Sequence, residues 1–294
     1  MVLWERYLNP TSIQEAIRAL QDAAGDARVI AGGTDLLLEI QQSRRPPIHT
    51  LVDVTRIPEL QAIECTDAEI TLGAAATHRA ILENPLLNRE ARCLVEACAL
   101  IGGPQVRNVA TIGGNVAHAL PAGDGTIALL ALDAQAQLAT ADGTLWKPLE
   151  ELFAAPGKPT FDPGREMLVG FRFRRQQPSE ATAFRRVMRP QGVAIAILNM
   201  AVWVRKREDG ALEDIRLAVG PAGPTPFRAR RTEEVLRGGE LTAQSLEHAQ
   251  QTLLDEARVR ASPHRATADY RRLLLGVLLE RVLVAAGALG APSA

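Results

Sequence analysis

Hydrophobic positions near the start of the chain follow two different periods. Ile13, Ala16, Ile17 and Leu20 share one stripe at helical spacing, which predicts a helix over 13–24. Thr11 or Ser12 can cap it, with Glu15 three residues after Ser12, and Gly25-Asp26 ends it. The β-branched run 28–31 predicts a strand that breaks into Gly32-Gly33-Thr34-Asp35. A helical stretch over 36–42, a proline-rich turn and a second strand over 50–54 follow. From Leu60 onward the pattern predicts short strands at 63–64 and 69–73, a helical turn at 79–82 and a buried helix over 90–101. A glycine-dense stretch at 106–116 precedes a helix over 126–132. A hairpin then pairs 136–140 with 144–148 around Asp142-Gly143, and 166–173 alternates as a strand. Residues 176–180 form a linker. Beyond it lie strands at 195–205 and 214–219, then long helices at 241–261 and 267–286, the pattern of an α+β module.

Composition narrows the function classes. The 294 residues suggest about two domains at ~150 residues each. Hydrophobic content of 47% and a formal net charge of −1 exclude a disordered chain. Only 11 residues are aromatic, too few for a base-stacking nucleic-acid surface. The even charge hides a split: residues 1–163 carry 12 basic and 20 acidic side chains, whereas 164–294 carry 21 and 14. Cys65, Cys93 and Cys98 form neither a disulfide framework nor a metal set, and are read as core thiols. No apolar leader opens the chain, and the run 273–279 falls short of the ~20 residues of a membrane span, so a cytoplasmic protein is expected.

Two glycine turns carry candidate chemistry. Gly32-Gly33-Thr34-Asp35 follows a strand and opens a helix, so it is either a plain turn or a backbone nest for an anion. It matches neither the GxGxxG fingerprint nor a Walker A loop. Thr111-Ile112-Gly113-Gly114-Asn115 reads as a second turn of the same chemistry, and two such nests suit a diphosphate gripped from both sides. Asp124 either accepts hydrogen bonds from a ribose or caps the following helix.

Ala31-Gly32-Gly33-Thr34-Asp35-Leu36, the stretch from Arg107 to Asn115 and Pro121-Ala122-Gly123-Asp124 together resemble the FAD-binding domain of the molybdenum hydroxylases. That family includes the medium, flavin-carrying subunit of carbon monoxide dehydrogenase and the flavin domain of xanthine dehydrogenase. The opening from Tyr7 to Ala16 is similar as well, as is the tail, with Phe227-Arg228-Ala229 and Ala268-Asp269-Tyr270-Arg271-Arg272. The resemblance implies an α+β fold. A two-subdomain FAD-binding domain of the PCMH type would span 1–175, divided into about 1–57 and 58–175. A smaller C-terminal domain of the carbon monoxide dehydrogenase flavoprotein type would span 178–290.

The same resemblance implies the site. The backbone of Ala31, Gly32, Gly33, Thr34, Asp35 and Leu36, and of Thr111, Ile112, Gly113, Gly114 and Asn115, would hold the FAD pyrophosphate. Asp124 would bind the ribose of the AMP half, Ile101 would lie near the isoalloxazine, Leu168 near the adenine, and Arg185 would stand where relatives often have Lys. No catalytic side chain and no metal ligand is expected in this chain. A molybdopterin would sit on a large partner subunit and [2Fe-2S] clusters on a small one, in a dimer of heterotrimers. This sequence departs from the carbon monoxide dehydrogenase branch at Gln191-Gly192-Val193-Ala194, where that branch places a Tyr over the flavin, and no cysteine-rich insertion for a [4Fe-4S] cluster is present.

The remaining candidates have bland and sharp readings. His78 and His118 are either acid/base groups or capping and packing residues. Arg107-Asn108 either steadies the second turn or faces a phosphate. The arginines at 185–186, 228–231 and 271–272 read as solvated surface or subunit contacts, with the basic half partly facing partners. Two rival functions stand beside the flavin subunit: a free-standing FAD-dependent oxidase or reductase, and a non-catalytic Arg-rich binding protein. The substrate and the electron acceptor are not legible, because substrate choice would lie on another polypeptide.

Overall fold

The first helix, Ile13–Asp22, starts where the pattern places it. Ser12 Oγ accepts from Glu15 N at 3.2 Å, and Glu15 Oε2 reaches back to Thr11 N at 2.8 Å. Ala16, Ile17 and Leu20 turn inward and join Ala27, Val52, Val54, Ile57 and Leu60 in one core. The computed structural model describes residues 3–189, 195–263 and 265–290. They fall into two compact units whose segments alternate along the chain.

The first unit comprises 3–81, Gly103–Ala119 and Ala134–Arg174. Its opening sheet is parallel, with Ile48–Asp53 flanked by Trp4–Leu8 and Ala27–Ile30. Helix Leu36–Gln41 follows the last of these and sets Ile40 against Ile30, Ile48 and Leu51. A five-stranded antiparallel sheet has the order Ile63–Cys65, Glu69–Gly73, Met167–Arg174, Gln135–Thr140, Gly143–Pro148. The predicted hairpin is its edge pair. The glycine-dense stretch is helical, not a loop: Pro104–Val109 and Ile112–Ala117 are two short helices joined at Ala110 and Thr111. Proline at the first helical position and the Thr111 cap supply the start signals.

The second unit comprises Leu82–Gly102, Leu120–Asp133 and 175–290. Its sheet runs Glu180–Val187, Leu198–Lys206, Leu212–Gly220, Phe227–Arg228, all antiparallel. Helix Asp124–Ala131 is buried along its whole length and packs on the two central strands. The long helix Ala268–Ala285 buries Leu274, Leu275, Leu278, Leu279, Val282 and Leu283 in a core with Val202, Val204, Leu217 and Val219 of the sheet. The helix expected over 90–101 is broken at Ala91, whose φ of −144° separates Pro85–Glu90 from Arg92–Ala99. Strand Glu180–Val187 begins inside the predicted linker, and helix Arg230–Leu236 follows the short Phe227–Arg228 strand.

The mixed helix and sheet content is the α+β architecture expected. No helix among the described residues is long and apolar enough to cross a membrane.

Candidate cofactor site

The turn after strand Ala27–Ile30 is set by two glycines with different jobs. Gly33 adopts φ +66°, the left-handed region that favours glycine. Gly32 lies so close to the backbone of Val109 and Ala110 that a Cβ there would run into the Val109 carbonyl oxygen. The 32–36 turn is thereby seated directly beside the segment that leads to Thr111. Leu37 N donates to Gly33 O at 3.0 Å and Glu39 N to Asp35 O at 2.9 Å. The backbone N–H groups of Gly32, Gly33, Thr34, Asp35 and Leu36 have no acceptor among the described residues, and the Asp35 side chain caps none of them. Apart from the exposed Asp35, these residues are half-buried. Five consecutive donors in a turn, one at a left-handed glycine, supply the N–H groups that an oxyanion needs. The following helix has only six residues, so individual N–H groups matter more here than a macrodipole.

The second segment is built differently. Ile112 N donates to Ala76 O at 3.0 Å, Gly113 N to Ala74 O at 2.8 Å, Gly114 N to Thr111 Oγ1 at 3.1 Å and Asn115 N to Thr111 O at 3.0 Å. These donors are committed to the protein. A Cβ on Gly113 would stand 2.5 Å from Ala74 O, so this helix start is pressed onto the 74–76 backbone. Gly114 is exposed and Asn115 half-buried, while Thr111, Ile112 and Gly113 are buried.

The remaining predicted positions have distinct settings. Leu168, in the strand Met167–Arg174 of the first unit, is 7% exposed. Ile101, Asp124 and Arg185 belong to the second unit. Ile101 is half-buried. Arg185 donates from Nη1 to Glu96 Oε2 at 3.0 Å and to Phe184 O at 2.7 Å. Asp124 is the first residue of its helix, with Gly123 as the cap, so its carboxylate does not act as an N-cap. Instead it is buried, ion-paired with Arg186 and hydrogen-bonded by Asn199 Nδ2 at 2.5 Å. Burial pushes this carboxyl up, against the opposing pull of Arg186 and Asn199. The motif pointed to Asp124 but not to its partners, 62 and 75 residues away.

The two histidines separate as well. His78 is 1% exposed, its backbone N–H donates to Ala110 O at 3.0 Å, and burial, with Arg107 nearby, pushes its imidazole down to about 4. His118 ends helix Ile112–Ala117, and its Nε2 lies 3.0 Å from Glu39 Oε1. Of the arginine clusters, Arg186, Arg228 and Arg271 are not solvated. Arg186 pairs with Asp124, Arg228 with Glu233 at 2.8 Å, and Arg271 is 3% exposed with Nη1 on Pro221 O at 3.2 Å. The core-thiol reading holds for Cys93 and Cys98, while Cys65 is exposed. Among the described residues no group of His, Cys, Asp or Glu is arranged to hold a metal. Gln191-Gly192-Val193-Ala194 lies outside the described residues.

Residues 4–173 match the family described as FAD binding domain in molybdopterin dehydrogenase, and 182–286 match the CO dehydrogenase flavoprotein C-terminal domain. The chain belongs to this FAD-binding family. Among its relatives is the xanthine dehydrogenase FAD-binding subunit of Escherichia coli O157:H7, 30% identical over 94% of each chain. A second is subunit alpha of the 6-hydroxypseudooxynicotine dehydrogenase complex of Paenarthrobacter nicotinovorans, 32% identical over 95% of this chain and 93% of that one. A solved chain of carbon monoxide dehydrogenase from Hydrogenophaga pseudoflava superposes with a TM-score of 0.91 at 28% identity, covering 97% of each. The chain is thus an FAD-binding subunit of the molybdenum hydroxylase family, similar to those of carbon monoxide and xanthine dehydrogenases, and an oxidoreductase component.

Proposed function

We propose that the backbone N–H groups of 32–36 grip the pyrophosphate of FAD in a subunit that relays electrons within a larger molybdoenzyme. The observation that carries this reading is the run of five donors without an acceptor among the described residues, seated against the 109–110 backbone. That donor set fits a diphosphate, which offers several oxygens to one concave turn. Ala31, Gly32, Gly33, Thr34, Asp35 and Leu36 hold the phosphates. Thr111, Ile112, Gly113, Gly114 and Asn115 form a rigid wall whose accessible members are Gly114 and Asn115. By the resemblance, Asp124 would bind the ribose of the AMP half, Ile101 would lie near the isoalloxazine and Leu168 near the adenine, and Arg185 would stand where relatives often have Lys. The Asp124 assignment rests on the family motif, and the other three on similarity to the family across the surrounding sequence.

When bound, the flavin supplies redox chemistry at its ring, so the subunit passes electrons from [2Fe-2S] clusters of a small partner to an external acceptor. This chain's own residues bind and orient; none is assigned a proton transfer. A large molybdopterin subunit completes the unit, as a dimer of heterotrimers. The names of relatives as a medium chain and as a complex subunit support partners of this kind.

The test is flavin content. The purified chain, reconstituted with FAD, is expected to carry close to one FAD with a flavin absorption spectrum. Gly33→Val, which forces a β-branched residue into a left-handed conformation, is expected to weaken FAD binding at least about tenfold, roughly 1.4 kcal/mol. A colourless wild-type protein, or full FAD affinity in a folded Gly33→Val variant, would overturn the assignment.

A further inference from the structure

We propose that His118 is a positioning residue that fastens the 111–115 helix start to the 32–36 turn, and so sets how tightly this chain holds FAD. The inference rests on the flavin reading above and adds a residue to its site.

His118 closes helix Ile112–Ala117, its own N–H donating to Gly114 O at 3.0 Å, so its position along the chain is tied to the Gly113-Gly114 turn. Its ring reaches across to the other element. Nε2 lies 3.0 Å from Glu39 Oε1, and Nδ1 lies 3.6 Å from Asp35 Oδ2. Asp35 and Glu39 stand four residues apart at the start of helix Leu36–Gln41, on one face. Asp35 is also the fourth residue of the donor run. Partial burial raises the Glu39 carboxyl, but hydrogen bonds from Arg45 and His118 outweigh it and hold it below the ordinary range. An ionised carboxylate only accepts, so the imidazole Nε2–H donates.

Arg45 Nε occupies the other oxygen, Oε2, at 3.0 Å, so Glu39 is held from two sides rather than free to swing. The Glu39 and His118 side chains are each 25% exposed, partly removed from water, where such a bond is screened less than on an open surface. A general acid or base needs a nitrogen free to meet its substrate, whereas both ring nitrogens here face carboxylates. With the Gly32 backbone pressed on Val109, the His118 bridge is a second fastening between the same two segments. Two fastenings fix both separation and rotation, and a diphosphate held by one segment and walled by the other is sensitive to each.

The experiment is a double-mutant cycle on the full chain, reading the FAD dissociation constant by flavin fluorescence and the thermal midpoint of the FAD-free protein. His118→Ala and Glu39→Ala are each expected to weaken FAD about tenfold, and the double variant hardly more than either single. His118→Gln, whose amide can still donate to Glu39, is expected to recover most of the affinity. Should the alanine variants fail to fold, His118→Gln against Glu39→Leu, which has no acceptor, carries the comparison, with only the latter losing affinity. Unchanged or additive losses, or losses that merely track a fall in FAD-free stability, would overturn the clamp and leave the flavin reading standing. A wild-type chain that does not bind FAD would remove both.

Discussion

His78 shows how burial turns a titratable residue into a structural one. Its ring is enclosed, Nδ1 has no hydrogen-bond partner among the described residues, and the imidazole is pushed from 6.5 down to about 4 by desolvation and the Arg107 charge. The unfolded chain therefore binds a proton between about pH 6.5 and 4 that the folded chain does not, so stability rises with pH across that window. A difference of this size corresponds to roughly 3 kcal/mol lost on acidification to about pH 4, with no contribution above about pH 7. Replacing the residue removes the titration: His78→Gln is expected to flatten this part of the pH profile relative to wild type, read as the urea midpoint at pH 4.5 and 7. An unchanged slope would mean the ring is hydrated in solution. Local signals such as Ser12 with Glu15, or Gly33 in its turn, were legible because their partners lie within four residues. The surroundings of His78 and the partners of Asp124 were not, because chain proximity says nothing about them.

At the level of elements, legibility followed the strength of periodicity. Helix Ile13–Asp22 has a clear apolar stripe and falls close to its predicted bounds, as does Ala268–Ala285, which is legible from its long leucine-rich run instead. Strand Trp4–Leu8 gives no such stripe: it pairs in parallel with Ile48–Asp53, only Trp4 packs on the core beside it, and its middle residues stay exposed. Helix Ile112–Ala117 read as a turn because Gly113 and Gly114 are poor helix formers. Tertiary contacts override that preference: Ile112 and Gly113 donate to Ala76 and Ala74, and Thr111 caps Gly114. The cap is therefore the element's main local support. Thr111→Ala is expected to cost about 1 kcal/mol, lowering the thermal midpoint by about 2–4 °C, while Thr111→Ser changes it little. Differential scanning calorimetry of the FAD-free chain checks this, and equal midpoints for the two variants would show that packing alone holds the helix.

The whole molecule explains the charge split along the chain. Five of the twenty acidic residues of 1–163 lie in the two segments, Leu82–Gly102 and Leu120–Asp133, that pack in the second unit. There they meet second-half arginines: Glu90 with Arg175 at 2.6 Å, Glu96 with Arg185 at 3.0 Å, Asp124 with Arg186, and Asp133 with Arg228 at 2.8 Å. Part of the basic excess after residue 163 is thus neutralised inside this unit, which leaves less of it to face partners than the sequence suggested. Backbone bonds follow the same route, Phe184 N donating to Glu96 Oε2 at 2.8 Å and Cys93 N to Thr182 Oγ1 at 3.1 Å. Cutting the chain near residue 175 would strip the wholly buried helix Asp124–Ala131 of the sheet it packs on and leave buried Asp124 without Arg186. A charge that loses its buried partner costs several kcal/mol, and an apolar helix without its sheet exposes its core. Residues 1–175 expressed alone are therefore expected to aggregate or bind a hydrophobic dye strongly, and 176–294 alone to unfold without a sharp transition. Co-expression of the two pieces is expected to restore a single soluble species by gel filtration. A monodisperse, cooperatively unfolding 1–175 fragment would show that the inserted segments need no partner sheet.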